Sequence, residues 1–310
     1  MSTRERKKGP GWLHDAVERV REFAYAEPVS EPQVRPRVGV ALGGGFARGI
    51  AHLGVLRVLE QEHIPIDYLG GTSAGALLAV SYASRHTLHE IEAQARATRF
   101  KDFGNWKLSW MGLASNQKLE FYPRQYLGVS TFEDLRIPLV IAATDLGTGE
   151  PVYFTRGRLG PALRASCAYP GMFVPVELEG RILVDGFLAA PVPVEAVRSL
   201  GADVVIAVFL EAASDRKPSS IVDVIGLSFA ILQRHADLEW RCTADIIVEP
   251  IVKDFLWDDF DRASELIAAG EAAARAALPQ IRAALAAKPR QEPPPLTAGR
   301  RSFHRSEAKT

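Results

Sequence analysis

The sequence predicts an α/β fold with a mainly parallel sheet covered by helices. Three observations carry this expectation. An apolar strand from Val38 to Leu42 runs into Gly43-Gly44-Gly45, and a helix follows with Ile50, Leu53, Val55, Leu56 and Leu59 on one side. A second strand, Ile66 to Leu69, ends at Gly70-Gly71 and leads into a helix from Ala74 to about Ala83. Repeated strand-turn-helix units of this kind build parallel sheets with helices on their faces. Finally, 310 residues at 47% hydrophobic and 24% charged suffice for one large domain, or at most two small ones.

The remaining elements follow in order. Residues 1–36 read as an appendage. Trp12, Leu13, Val17, Val20 and Phe23 fall near helical spacing with Glu18, Arg19 and Arg21 between them, and Pro28, Pro32 and Pro36 then separate this helix from the domain. The domain itself spans residues 37–287. Beyond the two opening units, residues 87–98 read as a helix. Residues 99–136 are aromatic-rich but weakly periodic, with Phe100, Phe103, Trp106, Trp110, Phe121, Tyr122 and Tyr126. Strands return at Pro138 to Ala143 and Val152 to Phe154, joined by Gly147-Thr148-Gly149. Leu159 to Ala168 is a short helix, and Val174 to Leu178 pairs with Arg181 to Val184 as a hairpin around Glu179-Gly180. A helix near Val194 to Leu200, a strand from Asp203 to Phe209, a long helix over 219–241, a strand from Ala244 to Glu249 and a helix over 258–287 complete the domain. The basic, Pro- and Gly-rich tail, residues 288–310, is expected to be disordered.

Charge and cysteine content narrow the function classes. Formal net charge is zero, so nothing global favours nucleic acid as a partner. The ends are locally basic, with Arg4, Arg6, Lys7 and Lys8 at one and Arg300, Arg301, Arg305 and Lys309 at the other. Two cysteines, Cys167 and Cys242, form neither a disulfide framework nor a metal-ligand spacing, and both are expected to be buried as small hydrophobes. No metal or cofactor is implied. The basic N-terminus lacks an apolar signal core, and no run of about 18 apolar residues is present, so the expected compartment is the cytoplasm. The N-terminal helix either packs on the domain or lies on a membrane surface, and with the basic ends it is the candidate for peripheral membrane contact.

Chemistry is concentrated in three places. Gly71-Thr72-Ser73-Ala74-Gly75 is a G-x-S-x-G between a strand and a helix. A nucleophile on so sharp a turn occupies strained backbone, and glycine two residues to either side relieves the crowding. The second place, Gly43-Gly44-Gly45-Phe46-Ala47-Arg48-Gly49, also joins a strand to a helix. A dinucleotide site would need glycine where Arg48 stands, and the Gly-Lys-Ser/Thr end of a phosphate-binding P-loop is absent. Consecutive glycines can instead turn backbone N–H groups toward one point as an oxyanion hole. Both turns belong to the carboxyl edge of the sheet, where α/β sites form. Arg48 is placed either to fix this loop or to help hold a phosphate head group.

The third element must be a base. Of the seven histidines, His14, His52, His63, His86, His89, His235 and His304, none sits on a late strand-to-loop junction, where a triad histidine would follow its acid. His235 is the one histidine open to that role, and it falls inside an apparent helix. Asp185 fits better: it ends the apolar run Ile182-Leu183-Val184 and precedes Gly186. Walls such as Leu183, Phe187 and Leu188 would raise its pKa into the working range of a base. The bland alternative is an aspartate that only caps a turn.

Together these residues resemble the patatin-like phospholipase family, especially its bacterial single-domain members, over about residues 37–287. The resemblance rests on the glycine loop and the serine turn, on Ala143-Thr144-Asp145-Leu146-Gly147-Thr148-Gly149, on Arg164-Ala165-Ser166-Cys167-Ala168-Tyr169-Pro170-Gly171, and on Val184-Asp185-Gly186 followed by Pro191-Val192-Pro193. It implies a three-layer α/β/α sandwich and hydrolysis of lipid acyl esters by a Ser-Asp dyad without a cofactor. Carried over, Ser73 is the nucleophile, Asp185 the base and Gly43, Gly44 and Gly45 the oxyanion loop, with Arg48, Gly71, Gly75 and Gly186 in support. Phe46, Phe187, Trp106 and Trp110 are the candidates for acyl contacts. Two positions depart from the family pattern: Phe187 stands where a small residue is usual, and Ala190 where Asn is frequent. Two rivals stay open, a Ser-His-Asp α/β-hydrolase using His235 and a catalytically weak lipid-binding regulator on the same fold.

Overall fold

In chain order, β1 (Val38–Leu42) leads through a 3-10 turn (Phe46–Ile50) into α1 (Ala51–Gln61), and β2 (Tyr68–Thr72) leads into α2 (Ala74–Ala83). These and the elements that follow come from a computed structural model that describes residues 35–287 except 212–216, 219 and 236–238. Next are α3 (Leu88–Ala97), α4 (Phe100–Phe103), β3 (Asn105–Ser109), β4 (Gly112–Ser115) and α5 (Lys118–Tyr126). β5 (Leu139–Asp145), β6 (Pro151–Phe154), α6 (Leu159–Ser166), β7 (Val176–Leu178) and β8 (Arg181–Asp185) complete the middle of the chain. Last come α7 (Val194–Ser199), β9 (Val204–Val208), α8 (Ile221–His235), α9 (Glu239–Thr243), β10 (Ile246–Val248) and α10 (Ala263–Ala287). The N-terminal helix expected around residues 12–23 and the basic tail fall outside the described residues. So does part of the long helix expected over 219–241, which is seen as α8 and α9.

The central sheet has eight strands in the order β10-β9-β1-β2-β5-β8-β7, with β6 paired to β5. The run from β10 to β5 is parallel, while β6 and β8 pair antiparallel with β5, and β7 pairs antiparallel with β8. β1 is buried at all five positions because both faces of the sheet are covered. Val38, Val40 and Leu42 join Leu69, Ile141 and Ile206 in the core beneath α1, α2 and α10. Ala41, Val140, Val205 and Ala207 face the other way and pack with Val194 and Val197 of α7 and Trp240 of α9. The period-two alternation of β1 thus feeds two cores and makes the fold a three-layer α/β/α sandwich.

Two local expectations are corrected. Gly70 and Gly71 do not end β2 but lie within it, since the strand runs on to Thr72. Side chains there would collide with Val197 of α7 and with Ala76 of α2, so close packing overrides the turn signal of paired glycines. The weakly periodic stretch 99–136 contains the antiparallel β3–β4 hairpin, whose register shifts between Trp106 and Ser109. That irregularity blurs the alternation from which a strand is read.

Helices α1 and α10 cross at very short range. Gly54 faces the backbone of Ile267, and Gly270 faces the carbonyl of Ala51, with no space for a Cβ at either position. Two small residues at one crossing let the helix backbones touch.

Candidate active site

Register brings the expected residues to one level. β1 and β2 pair with Leu42 opposite Gly71, so the glycine loop and the serine turn leave adjacent strands side by side. Thr72 pairs with Ala142 of β5, and Ala143 pairs with Asp185 of β8. An antiparallel strand thereby delivers its terminal aspartate next to the end of β2. Thr72 Oγ1 donates to Ala190 O at 2.7 Å, and Thr144 Oγ1 donates to Asp185 O at 2.9 Å. These bonds tie the Asp185 loop to the strands beside it.

Ser73 stands at φ 56° and ψ −121°, in the left-handed half of the map that a serine occupies only under constraint. Its N–H donates to Ser166 Oγ at 2.9 Å, and its carbonyl accepts from the Ala76 and Leu77 amides in the first turn of α2. A Cβ on Gly75 would strike the carbonyl of Leu42, and one on Gly71 would lie 2.5 Å from the backbone of Ala76. Glycine at both places is therefore a steric requirement of the turn, as the sequence pattern implies.

Asp185 is completely buried. Its Oδ1 accepts from the Phe187 amide at 2.9 Å, while Oδ2 is buried without a hydrogen-bond partner among the described residues. Burial pushes the carboxyl up to about 7, against smaller downward pulls from the Phe187 N–H and the Ser73 hydroxyl. The hydroxyl is thus near enough to act on the carboxylate, yet no hydrogen bond of ordinary geometry reaches Oδ2. The pair is juxtaposed but open, a common state of catalytic groups before substrate arrives. Cys167 also lies beside Ser73, and its burial together with the negative charge of Asp185 drives the thiol pKa up.

The glycine loop divides its amides unequally. Gly43 N–H donates to Val208 O at 2.9 Å and so belongs to the sheet. Gly44 N–H makes only a long 3.4 Å contact with Pro191 O, and Gly45 N–H has no acceptor among the described residues. A Cβ on Gly44 would lie 3.4 Å from Ser73 Cβ, so the loop passes directly over the serine. Gly43 is therefore removed from the expected set of donors, leaving Gly44 and Gly45. Arg48 Nε donates to Gly45 O at 3.3 Å, which fixes the loop.

Two cavities meet at Ser73 and Phe46. One is mainly apolar and encloses about 830 Å³, open solvent at its mouth included, between Leu77, Leu78, Ile91, Ala95, Phe100, Phe103, Leu119 and Tyr122. The other, of about 780 Å³ on the same basis, is lined by Arg48, Tyr169, Asp185, Phe187, Asp223 and Trp257 among others. The Phe46 ring meets Tyr169 at 4.9 Å and Trp257 at 5.6 Å, both edge-on. Phe187 lines the cavity with the charged residues, not the apolar one. Trp110 is fully exposed and lines neither, because it sits at the turn of the β3–β4 hairpin. Trp106 lies on β3, but its side chain falls outside the described residues, as does that of His235 at the end of α8. Segment 99–136 does reach the apolar cavity, through Phe100, Phe103, Leu119 and Tyr122.

Several residues around the serine turn and the glycine loop carry no assigned role in the sequence. Ser166 and Cys167 sit in a quoted motif without an assigned role, and His52 lies three residues after Gly49. Cys242 is exposed, contrary to expectation, while Cys167 is buried. Among the described residues no group of three or more His, Cys, Asp or Glu is placed to hold a metal ion, and no helix is long and apolar enough to cross a membrane.

An open parallel sheet with a strained serine at its edge and a buried carboxylate alongside defines an α/β protein with a serine-centred site. More narrowly, this chain belongs to the patatin-like phospholipase family, whose profile matches residues 40–198. An uncharacterized NTE family protein of Mycobacterium tuberculosis is 35% identical over 190 residues, which are 56% of this chain and 49% of that one. Lysophospholipase nte1 of Aspergillus fumigatus is 30% identical over 203 residues, 64% of this chain and 13% of its own. The chain thus spans about half the length of the mycobacterial relative and a small part of the fungal one. Among solved structures, VipD from Legionella pneumophila aligns over 81% of this chain and 67% of its own, with a TM-score of 0.48 and 12% identity.

Proposed function

We propose that this protein hydrolyses carboxylic esters of lipids, with Ser73 as nucleophile and Asp185 as general base. The observation that carries the reading is the buried carboxyl of Asp185 beside the strained Ser73, its pKa raised to about 7 and one oxygen without a partner. An aspartate so placed has the proton affinity of an ordinary histidine base.

In the first half-reaction Ser73 Oγ attacks the ester carbonyl carbon as its proton passes to Asp185 Oδ2. The Gly44 and Gly45 amides face the tetrahedral oxyanion. Collapse breaks the bond to the leaving alcohol, which takes the proton from Asp185 and departs, leaving an acyl-Ser73 ester. Asp185 then takes a proton from water as that water attacks the acyl carbon. Collapse returns the proton to Ser73 Oγ and frees the fatty acid.

The cavities suggest how a substrate lies. The apolar one suits a single acyl chain, and the other suits the alcohol portion. Arg48 and Asp223 both line that second wall. The fungal relative's name, lysophospholipase, agrees with a one-chain substrate. Mass spectrometry of a lipid-ester panel, run with wild type, Ser73→Ala and Asp185→Asn, tests this reading. Both variants are expected to stay folded and to lose turnover by at least about a thousandfold. Normal hydrolysis by either would remove the dyad. Failure of a fluorophosphonate probe to label Ser73 in the wild type would favour a lipid-binding regulator instead.

A further inference from the structure

His52 lies in the first turn of α1, beneath the glycine loop, and is completely buried. Its Nε2 is 2.8 Å from Gly43 O. A carbonyl can only accept, so Nε2 carries the hydrogen and Nδ1 is the bare nitrogen. Nδ1 is buried and has no partner among the described residues. Burial also drives the ring pKa down to about 4, so the side chain is a neutral, one-sided donor at working pH. A leucine would fill this place without a bare ring nitrogen, but it would take the donor away from Gly43 O. The cost of the bare Nδ1 points to a task for the Nε2 hydrogen bond.

That bond is made to a particular peptide unit. The carbonyl of Gly43 and the N–H of Gly44 belong to the same planar group, and among the described residues no peptide is cis. Fixing the carbonyl therefore fixes the direction of the N–H on the opposite side. A hydrogen bond to the carbonyl also polarises the amide and makes its N–H a stronger donor. Gly44 N–H keeps only the 3.4 Å contact with Pro191 O and lies on the loop that passes over Ser73, so little holds it back from a developing oxyanion.

We infer that His52 is a positioning residue that sets the Gly43–Gly44 peptide as an oxyanion donor, without itself touching substrate. The inference rests on the Ser73–Asp185 reading for its catalytic consequence, but not for its structural one. Three variants separate the two: His52→Leu removes the donor, His52→Gln keeps an N–H at similar reach, and His52→Asn carries an N–H that falls short. Two readouts are taken on folded protein: kcat and KM on a chromogenic fatty-acyl ester, and the Gly44 amide resonance in a ¹H–¹⁵N spectrum. His52→Leu and His52→Asn are expected to lower kcat by about 10- to 100-fold with KM within about twofold, and His52→Gln to recover most of the loss. The Gly44 resonance should move in the first two variants and return toward its wild-type position in His52→Gln. If His52→Leu fails to fold, His52→Asn carries the comparison. An unmoved Gly44 resonance in a variant lacking the donor overturns the inference whether or not the protein is active. So does equal loss of kcat in His52→Gln and His52→Asn. Inactivity of the wild type with the Gly44 pattern intact would strike the dyad reading and leave the positioning role standing.

Discussion

If Asp185 accepts the Ser73 proton, only its ionised form works, and activity must follow its titration. With the carboxyl pushed up to about 7, activity rises with pH on the acid side. About one carboxyl in a hundred is ionised at about pH 5, one in ten at about pH 6 and nearly all above about pH 8. Values of kcat/KM should therefore climb about tenfold per pH unit below the midpoint and level off above it. An ordinary aspartate would be ionised across this whole interval and give a flat line. The cause can be tested separately with Phe187→Ala. That change keeps the backbone N–H that bonds Oδ1 but removes a wall of the cavity beside the carboxyl. Water admitted there lowers the carboxyl's pKa, and the acid limb should move down by about one pH unit. The assay uses initial rates on a soluble short-acyl ester at constant ionic strength, with circular dichroism confirming the fold at each pH. A profile flat between about pH 5 and about pH 8 would refute the base assignment.

Two further outcomes follow from the same geometry. Asp185→Asn should stabilise the fold above neutrality. The folded-state pKa lies above the unfolded one, so the native state holds the extra proton between about pH 4 and about pH 7, and wild type loses stability as pH rises through that window. Full ionisation at this site costs up to about 4 kcal/mol, so the melting temperatures of wild type and variant should diverge as pH rises; parallel curves would contradict the burial argument. Ala95→Phe puts a ring into the apolar cavity and should shift the preferred acyl chain shorter by several carbons with little effect on an acetyl ester; an unchanged chain-length profile would mean that the acyl chain lies elsewhere.

The site was legible where its chemistry imposes residue types on a short stretch of chain. A strained nucleophile turn demands glycine at 71 and 75 because backbone lies where side chains would be, and that demand is written locally. Asp185 was legible for a related reason: an acid at the end of an apolar strand is conspicuous. What stayed hidden depends on distant partners. The Ser73 amide is capped by Ser166, 93 residues away, and a serine near the end of a helix carries no sign of that. His52 reads as one polar residue on an otherwise apolar helix face. The acyl candidates were mixed because aromatic content does not tell which way a hairpin tip turns: Trp110 faces solvent, whereas Phe100 and Phe103 face the cavity. Gly43 reads as a donor because three glycines look alike in sequence, but the first is the last rung of the parallel ladder.

The crossing of α1 with α10 ties the far end of the chain to the chemistry. Ala51, whose carbonyl abuts Gly270, immediately precedes His52, and Gly54 follows two residues later. The turn beneath the glycine loop is thus clamped by a helix lying some sixty residues beyond the stretch that defines the family. A chain cut back to residue 198 would keep every recognisable motif yet lose the buttress behind one of them. Homologues that preserve the motifs while altering this crossing would then differ in turnover more than in the lipids they accept.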